Sequence, residues 1–363
     1  MLSLHIDTAR DWRGGQRQVL ETVLGLREAG GRALLVAHPD GELLRRMREG
    51  LDLVPLAPRS DVDLSASWKL SRLIKSAAPD VIHAHDSHAV AMAATALAIA
   101  APSPRPPLLA SRRSEFRVDR SSFSRWKYAQ VDGFIATSGT VRDRLIADGI
   151  SAQKITVVSP GVDLDRIGKI PAANVHAEFW LPTHAPLIGN VAALVPHKGH
   201  HHLIETAARV IQRVPDARFV IVGEGELRET LQKQIHDRHL ERHVFLAGFR
   251  IDVIELTKGF DVFVSSALAE GASMSILDAM AAARPVVATA TGSVPELIVD
   301  GDTGVIVPPR DDAAQAAAIV ALLKDEERRR MGQAAQARVA ERFTLERMVR
   351  ELTEVYERVG TSG

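Results

Sequence analysis

An alternation restricts what this chain can fold into more than any other feature. Short apolar runs rich in Val, Ile, Leu and Ala are separated by longer segments with helical periodicity. In the first half the runs are Leu2–Ile6, Ala33–Ala37, Asp52–Leu56, Asp80–His85, Leu108–Ala110, Gly133–Ala136 and Ile155–Val158. In the second half they are Leu187–Leu194, Arg218–Val222, Val244–Phe249, Phe260–Ser266, Val286–Ala288 and Gly304–Pro309. Runs apolar on both sides, joined through helices, predict strands of parallel sheets buried on both faces, the doubly wound α/β class. At 363 residues the chain is too long for one ordinary core. The pattern weakens between Asp165 and Pro186, where Gly168, Pro171, Pro182 and Pro186 fall. The expectation is therefore a first domain over 1–165, a second over 166–344, and a closing amphipathic helix within 345–363. Met348, Val349, Leu352, Val355 and Tyr356 share one side of that helix.

Composition narrows the class. The apolar fraction of 46% and charged fraction of 25% are those of a globular protein in water. With no cysteine there is no disulfide framework, thiolate nucleophile or cysteine metal site. Zero net charge argues against a dedicated nucleic-acid binder. The stretch Met1–Asp7 lacks the basic region and apolar core of a signal peptide, and Ala89–Ala101 is too short to span a bilayer. These features predict a cytoplasmic protein.

Ligands of such sheets bind beyond the carboxyl ends of the strands. In the first half Gly14-Gly15, His85 and the pair Arg112-Arg113 fall there. Gly14-Gly15 reads equally well as a turn, and His85 as a structural histidine. The segment Arg105–Lys127 interleaves Arg105, Arg112, Arg113, Arg117, Arg120, Arg125 and Lys127 with Phe116, Phe123 and Trp126. It reads either as a solvated face or as a surface for an anionic acceptor or lipid headgroup. In the second half, Glu270 and Asp278 flank the start of a helix near Ser273, whose N–H groups favour an anion. Lys198, in a loop after a strand, is placed to meet a phosphate. Gly223-Glu224-Gly225 looks like the start of a dinucleotide fingerprint, but Arg228 stands where its third glycine belongs. His197, His201 and Glu205 suggest metal spacing, which is outweighed by a polar helix start.

Taken together, these residues resemble a retaining glycosyltransferase of family 4, with the GT-B fold. The resemblance runs nearly the whole chain. It includes Gly14-Gly15, Asp80–His85, Lys154–Asp163, Lys198-Gly199, Gly223–Gly225, Glu270-Gly271, Asp278–Ala281, Arg284–Thr289 and Pro295–Leu297. It implies two Rossmann-like domains facing across a cleft, the first binding an acceptor and the second a nucleotide-sugar, with the final helix returning to the first. By resemblance Glu270 contacts the donor sugar, Asp278 the ribose, Lys198 the diphosphate, and His85 hydrogen-bonds the sugar. Gly14, Gly15, Gly223, Gly271, Ala272, Ser273, Met274 and Ser275 would complete the donor site, and Arg112 and Arg113 would meet the acceptor. The resemblance implies no obligatory metal or other cofactor beyond the nucleotide-sugar co-substrate. It also implies a glycan or lipid-linked acceptor and cell-surface polysaccharide or lipopolysaccharide synthesis, and the segment Arg105–Lys127 suggests peripheral contact with an anionic membrane at its inner face. Two departures stand out. Asp278 replaces the family's second glutamate, and Ala192-Ala193 stand where an arginine is common, with His197 as a candidate substitute. They keep open a catalytically impaired nucleotide-sugar binder; another enzyme of the same fold, such as a sugar-nucleotide 2-epimerase or a phosphorylase-like protein, is the alternative within enzymes.

Overall fold

The computed structural model describes residues 1–46, 52–113, 121–271 and 273–360. It divides into two compact units. Unit 1 is Met1–Gly161 with Leu345–Gly363, and unit 2 is Val162–Thr344.

Unit 1 is built on a seven-stranded sheet. Its strands are β1 (Leu2–Asp7), β2 (Arg32–Ala37), β3 (Asp52–Pro55), β4 (Val81–Ala84), β5 (Leu108–Arg112), β6 (Gly133–Ala136) and β7 (Ile155–Val157). They are parallel throughout in the order β3-β2-β1-β4-β5-β6-β7, so the direction of winding reverses between β1 and β4. The helix Ser87–Ala100 is alanine-rich and buried on most sides, packing on the helix Leu64–Ala77 and on β4. The helix Leu345–Gly360 packs on the helix Gly14–Glu28, burying Met348, Val349, Leu352, Val355 and Tyr356. Each such side chain contributes roughly 1.5–3 kcal/mol as an upper estimate, which ties the far end of the sequence to the start.

Unit 2 repeats the plan with six parallel strands. They are β8 (Leu187–Val191), β9 (Arg218–Val222), β10 (Val244–Gly248), β11 (Val262–Ser265), β12 (Val286–Thr289) and β13 (Val305–Val307). Their order is β10-β9-β8-β11-β12-β13, with the reversal between β8 and β11. Apolar clusters lie on both faces, one around Phe260, Phe263 and Met280, the other around Leu203, Phe219 and Ile319. Burial on both faces explains why the strands read as unbroken apolar runs.

Candidate functional site

In an open α/β sheet the strand loops diverge where the order reverses and leave a crevice there. In unit 2 that point lies between β8 and β11. After β8 the chain makes a 3-10 turn, Pro196–Lys198, and passes through Gly199 (φ +66°) into the helix His200–Arg213. A Cβ on Gly199 would lie 2.1 Å from the Ser266 carbonyl oxygen, so only glycine lets the two loops meet. Leu268 and Ala269 N–H groups donate to the His197 carbonyl at 2.8 and 3.3 Å. That seam brings Lys198 Nζ to 2.8 Å from Glu270 Oε1 and 2.7 Å from Oε2. Glu270 is only 6% exposed.

Buried amides and hydroxyls hold the loop after β11. Gln315 Nε2 donates to the Ser265 carbonyl at 3.0 Å, and its Oε1 accepts from Thr206 and Ser266. Thr289, at the end of β12, and Thr291 just after it both donate to the Ala267 carbonyl. The helix Met274–Ala281 follows, entered through Ser273 without a side-chain cap. Ser273 is 2% exposed, and its hydroxyl has no hydrogen-bond partner among the described residues; the same holds for the buried Ser293 hydroxyl after β12. A buried hydroxyl left unmatched costs about 1–3 kcal/mol, so one at a strand-end helix start points to a ligand that completes it. Asp278 is buried in this helix, Met274 is buried, and Gly271 and Ser275 are half-buried. Ala272 lies outside the described residues.

Gly223 has a packing duty. At φ +149° a Cβ there would lie 1.9 Å from the Ala192 carbonyl, and the loop after β9 is laced to Ala192 and Leu194 by backbone bonds. Among the described residues, the ligand atoms of His197, His201 and Glu205 do not converge as a metal-binding group. His202 pairs with Asp312 at 2.9 Å, and Glu205 accepts from Gln234 and Arg238. Burial, reinforced by Lys198, pushes His200 down to about 4.

In unit 1 the reversal lies between β1 and β4, and it holds a feature that sequence reasoning missed. His5 (on β1) and His83 (on β4) are register partners, and with His85 they bring three imidazoles together, all buried. Strand alternation carries the signal: His5 and His83 point to one face, and His85 follows His83 at the next position on that side. All six ring nitrogens have partners. Arg113 Nη2 meets His85 Nδ1 at 2.7 Å, His85 Nε2 meets His5 Nδ1 at 2.9 Å, and His5 Nε2 meets Ser3 Oγ at 3.0 Å. His83 spans the Tyr356 hydroxyl at 2.6 Å and Ser111 Oγ at 2.8 Å. Burial first, then neighbouring charge, holds all three histidines below their ordinary range, His5 down to about 3. Neutral imidazoles could ligate a metal, but here their nitrogens serve one another and the Arg113 guanidinium would oppose a cation. Because a guanidinium only donates, the protons run one way, from Arg113 through His85 and His5 to Ser3. Neither nitrogen of His85 is left for a sugar in this arrangement.

Arg113 is the charge at this point. Its Nη1 donates to the His85 carbonyl at 3.3 Å, lies 3.9 Å from Asp7 Oδ2, and stands 3.4 Å from where a Cβ on Gly15 would be. The helix it faces, Gly14–Glu28, has no side-chain cap and no acidic residue in its first turn. Burial and the nearby Asp86 push Asp7 up to about 6 against the pull of Arg113.

The described part of the basic segment divides between inward and surface cations. Arg105 pairs with Asp132 at 2.7 Å, Arg113 is turned into the sheet end, and Lys127 is buried with Asp61 and Ser87. Arg112 is half-buried, and its carbonyl accepts from Thr137. Arg125 and Trp126 are exposed, whereas Phe116, Arg117 and Arg120 lie outside the described residues. Two of its described cations, Arg113 and Lys127, thus serve inside unit 1, while Arg105 and Arg125 remain at the surface.

Residues 174–338 match the family model described as Glycosyl transferases group 1, and residues 12–166 match that of Glycosyltransferase Family 4. The crystal structure of Anabaena Alr3699/HepE in complex with UDP-glucose superposes with a TM-score of 0.86. The alignment covers 99% of this chain and 100% of that one, at 23% identity. The fold is GT-B. Two curated relatives resemble part of this GT-B chain. A GDP-mannose-dependent alpha-(1-6)-phosphatidylinositol monomannoside mannosyltransferase of Mycolicibacterium smegmatis is 34% identical over 158 residues, 41% of each protein. A UDP-Gal:alpha-D-GlcNAc-diphosphoundecaprenol alpha-1,3-galactosyltransferase of Escherichia coli is 33% identical over 143 residues, 38% of this chain and 36% of that protein. The matched stretch is thus less than half the length of these relatives. Among the described residues no helix is long and apolar enough to cross a membrane.

Proposed function

We propose that this GT-B chain moves a hexose-type sugar from a UDP- or GDP-sugar to a hydroxyl of a glycan or lipid-linked acceptor, with retention of anomeric configuration. The Lys198–Glu270 pair at the reversal of the unit 2 sheet carries the reading. In the resting protein the two charges neutralise each other. A donor diphosphate draws Lys198 to itself and frees the Glu270 carboxylate to accept from the sugar hydroxyls. Ser273 and the helix start behind it complete the donor site, with Gly271, Met274 and Ser275 lining it and Asp278 at the ribose. Gly14, Gly15 and Arg113 offer an anion-favouring helix start in unit 1, with His85 holding Arg113 and Arg112 beside it on the acceptor side. As the anomeric carbon–oxygen bond to the diphosphate breaks, the acceptor oxygen bonds to that carbon from the same face. The acceptor proton passes to the departing phosphate. Lys198 offsets the charge that grows there.

The donors and lipid-linked acceptors in the names of the two relatives support this class, as does the UDP-glucose bound by the structural neighbour. They favour a role in cell-surface polysaccharide or lipopolysaccharide synthesis, at the cytoplasmic side of a membrane and in peripheral contact with it. A thermal-shift screen of UDP-, GDP- and ADP-sugars, followed by transfer assays with the stabilising donor, tests the proposal. A bound donor raises the melting temperature by mass action. An altered nucleotide-sugar released without acceptor would favour an epimerase. Binding without turnover across an acceptor panel would favour an impaired binder.

A further inference from the structure

The helix Leu64–Ala77 of unit 1 has two contrasting faces. Ala66, Ser67, Leu70, Ser71 and Ile74 are buried, and the helix packs on its neighbour Ser87–Ala100. On the opposite face Leu64, Trp68, Lys69, Arg72 and Lys75 are exposed, with Val62 exposed just before the helix. Trp68 keeps 51% of its surface exposed, and the Arg72 guanidinium lies over its ring at 5.2 Å. The helix carries no acidic residue. The two acids preceding it are engaged, Asp63 in capping Ala66 N–H and Asp61 with Lys127 and His88. Lys127 thereby sets the helix Ser122–Ala129, with its exposed Trp126, beside the loop that carries Val62.

An indole and two branched apolar side chains facing water together are costly to hydrate, and three neighbouring cations have no acid on their helix to offset them. A bilayer surface with anionic headgroups suits both features. The apolar groups enter the boundary between headgroups and acyl chains, the indole lies at that level, and the long cationic side chains reach the phosphates. We propose that this face, with Trp68 at its centre, seats unit 1 on an anionic lipid bilayer. The inference deepens the peripheral membrane contact of the proposed function and rests on that reading for its purpose, while its surface chemistry stands alone.

Flotation of the full chain with phosphatidylcholine vesicles, with and without phosphatidylglycerol, tests it. Binding is expected to anionic vesicles only, and to be lost at about 0.5 M salt. Combined K69E, R72E and K75E substitutions should weaken binding about tenfold or more, and Trp68→Ser about threefold or more. Both variants should keep the parent melting temperature and circular dichroism, because these side chains are exposed. Transfer to a water-soluble acceptor should stay within about twofold in both. Equal binding to neutral vesicles, unchanged binding in both variants, or a dimer in light scattering that Trp68→Ser dissolves would overturn the proposal. Vesicle binding without transferase activity on any donor would sink the proposed function and leave this inference standing.

Discussion

Lys198 Nζ and Glu270 Oε2 stand 2.7 Å apart, one on each of the loops that leave β8 and β11, the strands where the unit 2 sheet reverses. The pair balances itself, and on the proposed reading it separates on a ligand that offers an anion to one partner and hydroxyls to the other. Lys198→Ala leaves Glu270 buried without its cation. That should cost about 3 kcal/mol or less of stability, since Lys198 keeps partial solvent access. The same variant should lose about tenfold or more in transfer rate, at least about 1.4 kcal/mol of barrier. Urea unfolding and initial rates measured together separate the two effects.

Ser273 gives the opposite signature. Its buried hydroxyl lacks a partner among the described residues, so Ser273→Ala should leave stability unchanged or raise it by about 1 kcal/mol. Donor affinity should fall about tenfold, because the hydroxyl is completed only by ligand. Calorimetric titration against the preferred nucleotide-sugar reads the affinity, and a thermal melt reads the stability. A destabilised variant with normal affinity would assign Ser273 to the fold instead.

The imidazole chain predicts that Arg113→Lys is not conservative. A guanidinium can donate to the His85 ring and carbonyl together, whereas an ammonium lacks that planar fork. Transfer should fall about tenfold or more, with the loss centred on kcat/KM. Tyr356→Phe removes the hydroxyl at His83 and should cost about 1–3 kcal/mol of stability by leaving a buried ring nitrogen unmatched.

Acid should destabilise the chain earlier than its carboxylates alone would cause. His5, His83, His85 and His200 are depressed in the folded state, so below their ordinary range near 6.5 the unfolded chain binds protons that the folded chain refuses. Stability therefore falls as pH drops through that range, and it continues to fall toward about 4 for His200 and about 3 for His5. Asp7 works the other way. Raised to about 6, it takes up its proton in the folded state first and returns part of the loss between about 6 and its ordinary value of 3.8. Each unmatched proton contributes about 1.4 kcal/mol per pH unit. Denaturant midpoints from pH 8 to 4.5 should show a steep fall beginning near 6.5, and a flat profile to pH 5 would contradict the assignment.

Much of the fold was legible because strands buried on both faces leave unbroken apolar runs, as in Val262–Ser265 and Val286–Thr289. Lys198 and Glu270 were visible as strand-end residues, and what brings them together is the adjacency of β8 and β11, a long-range fact absent from local pattern. The same limit hid His5, an unremarkable strand residue until β1 pairs with β4 and sets it opposite His83. Local charge counting could not tell which cations of the basic segment turn inward. Arg113 and Lys127 are drawn in by His85, Asp61 and Ser87, partners distant in sequence, while Arg105 and Arg125 stay exposed.

Transfer from the stabilising nucleotide-sugar, with the product's anomeric configuration read by NMR in wild type and Glu270→Ala, bears most directly on the proposed chemistry. The expected result is a wild-type product that keeps the donor's configuration and no detectable product from Glu270→Ala. An inverted product, or Glu270→Ala turnover within about twofold of wild type, would contradict it.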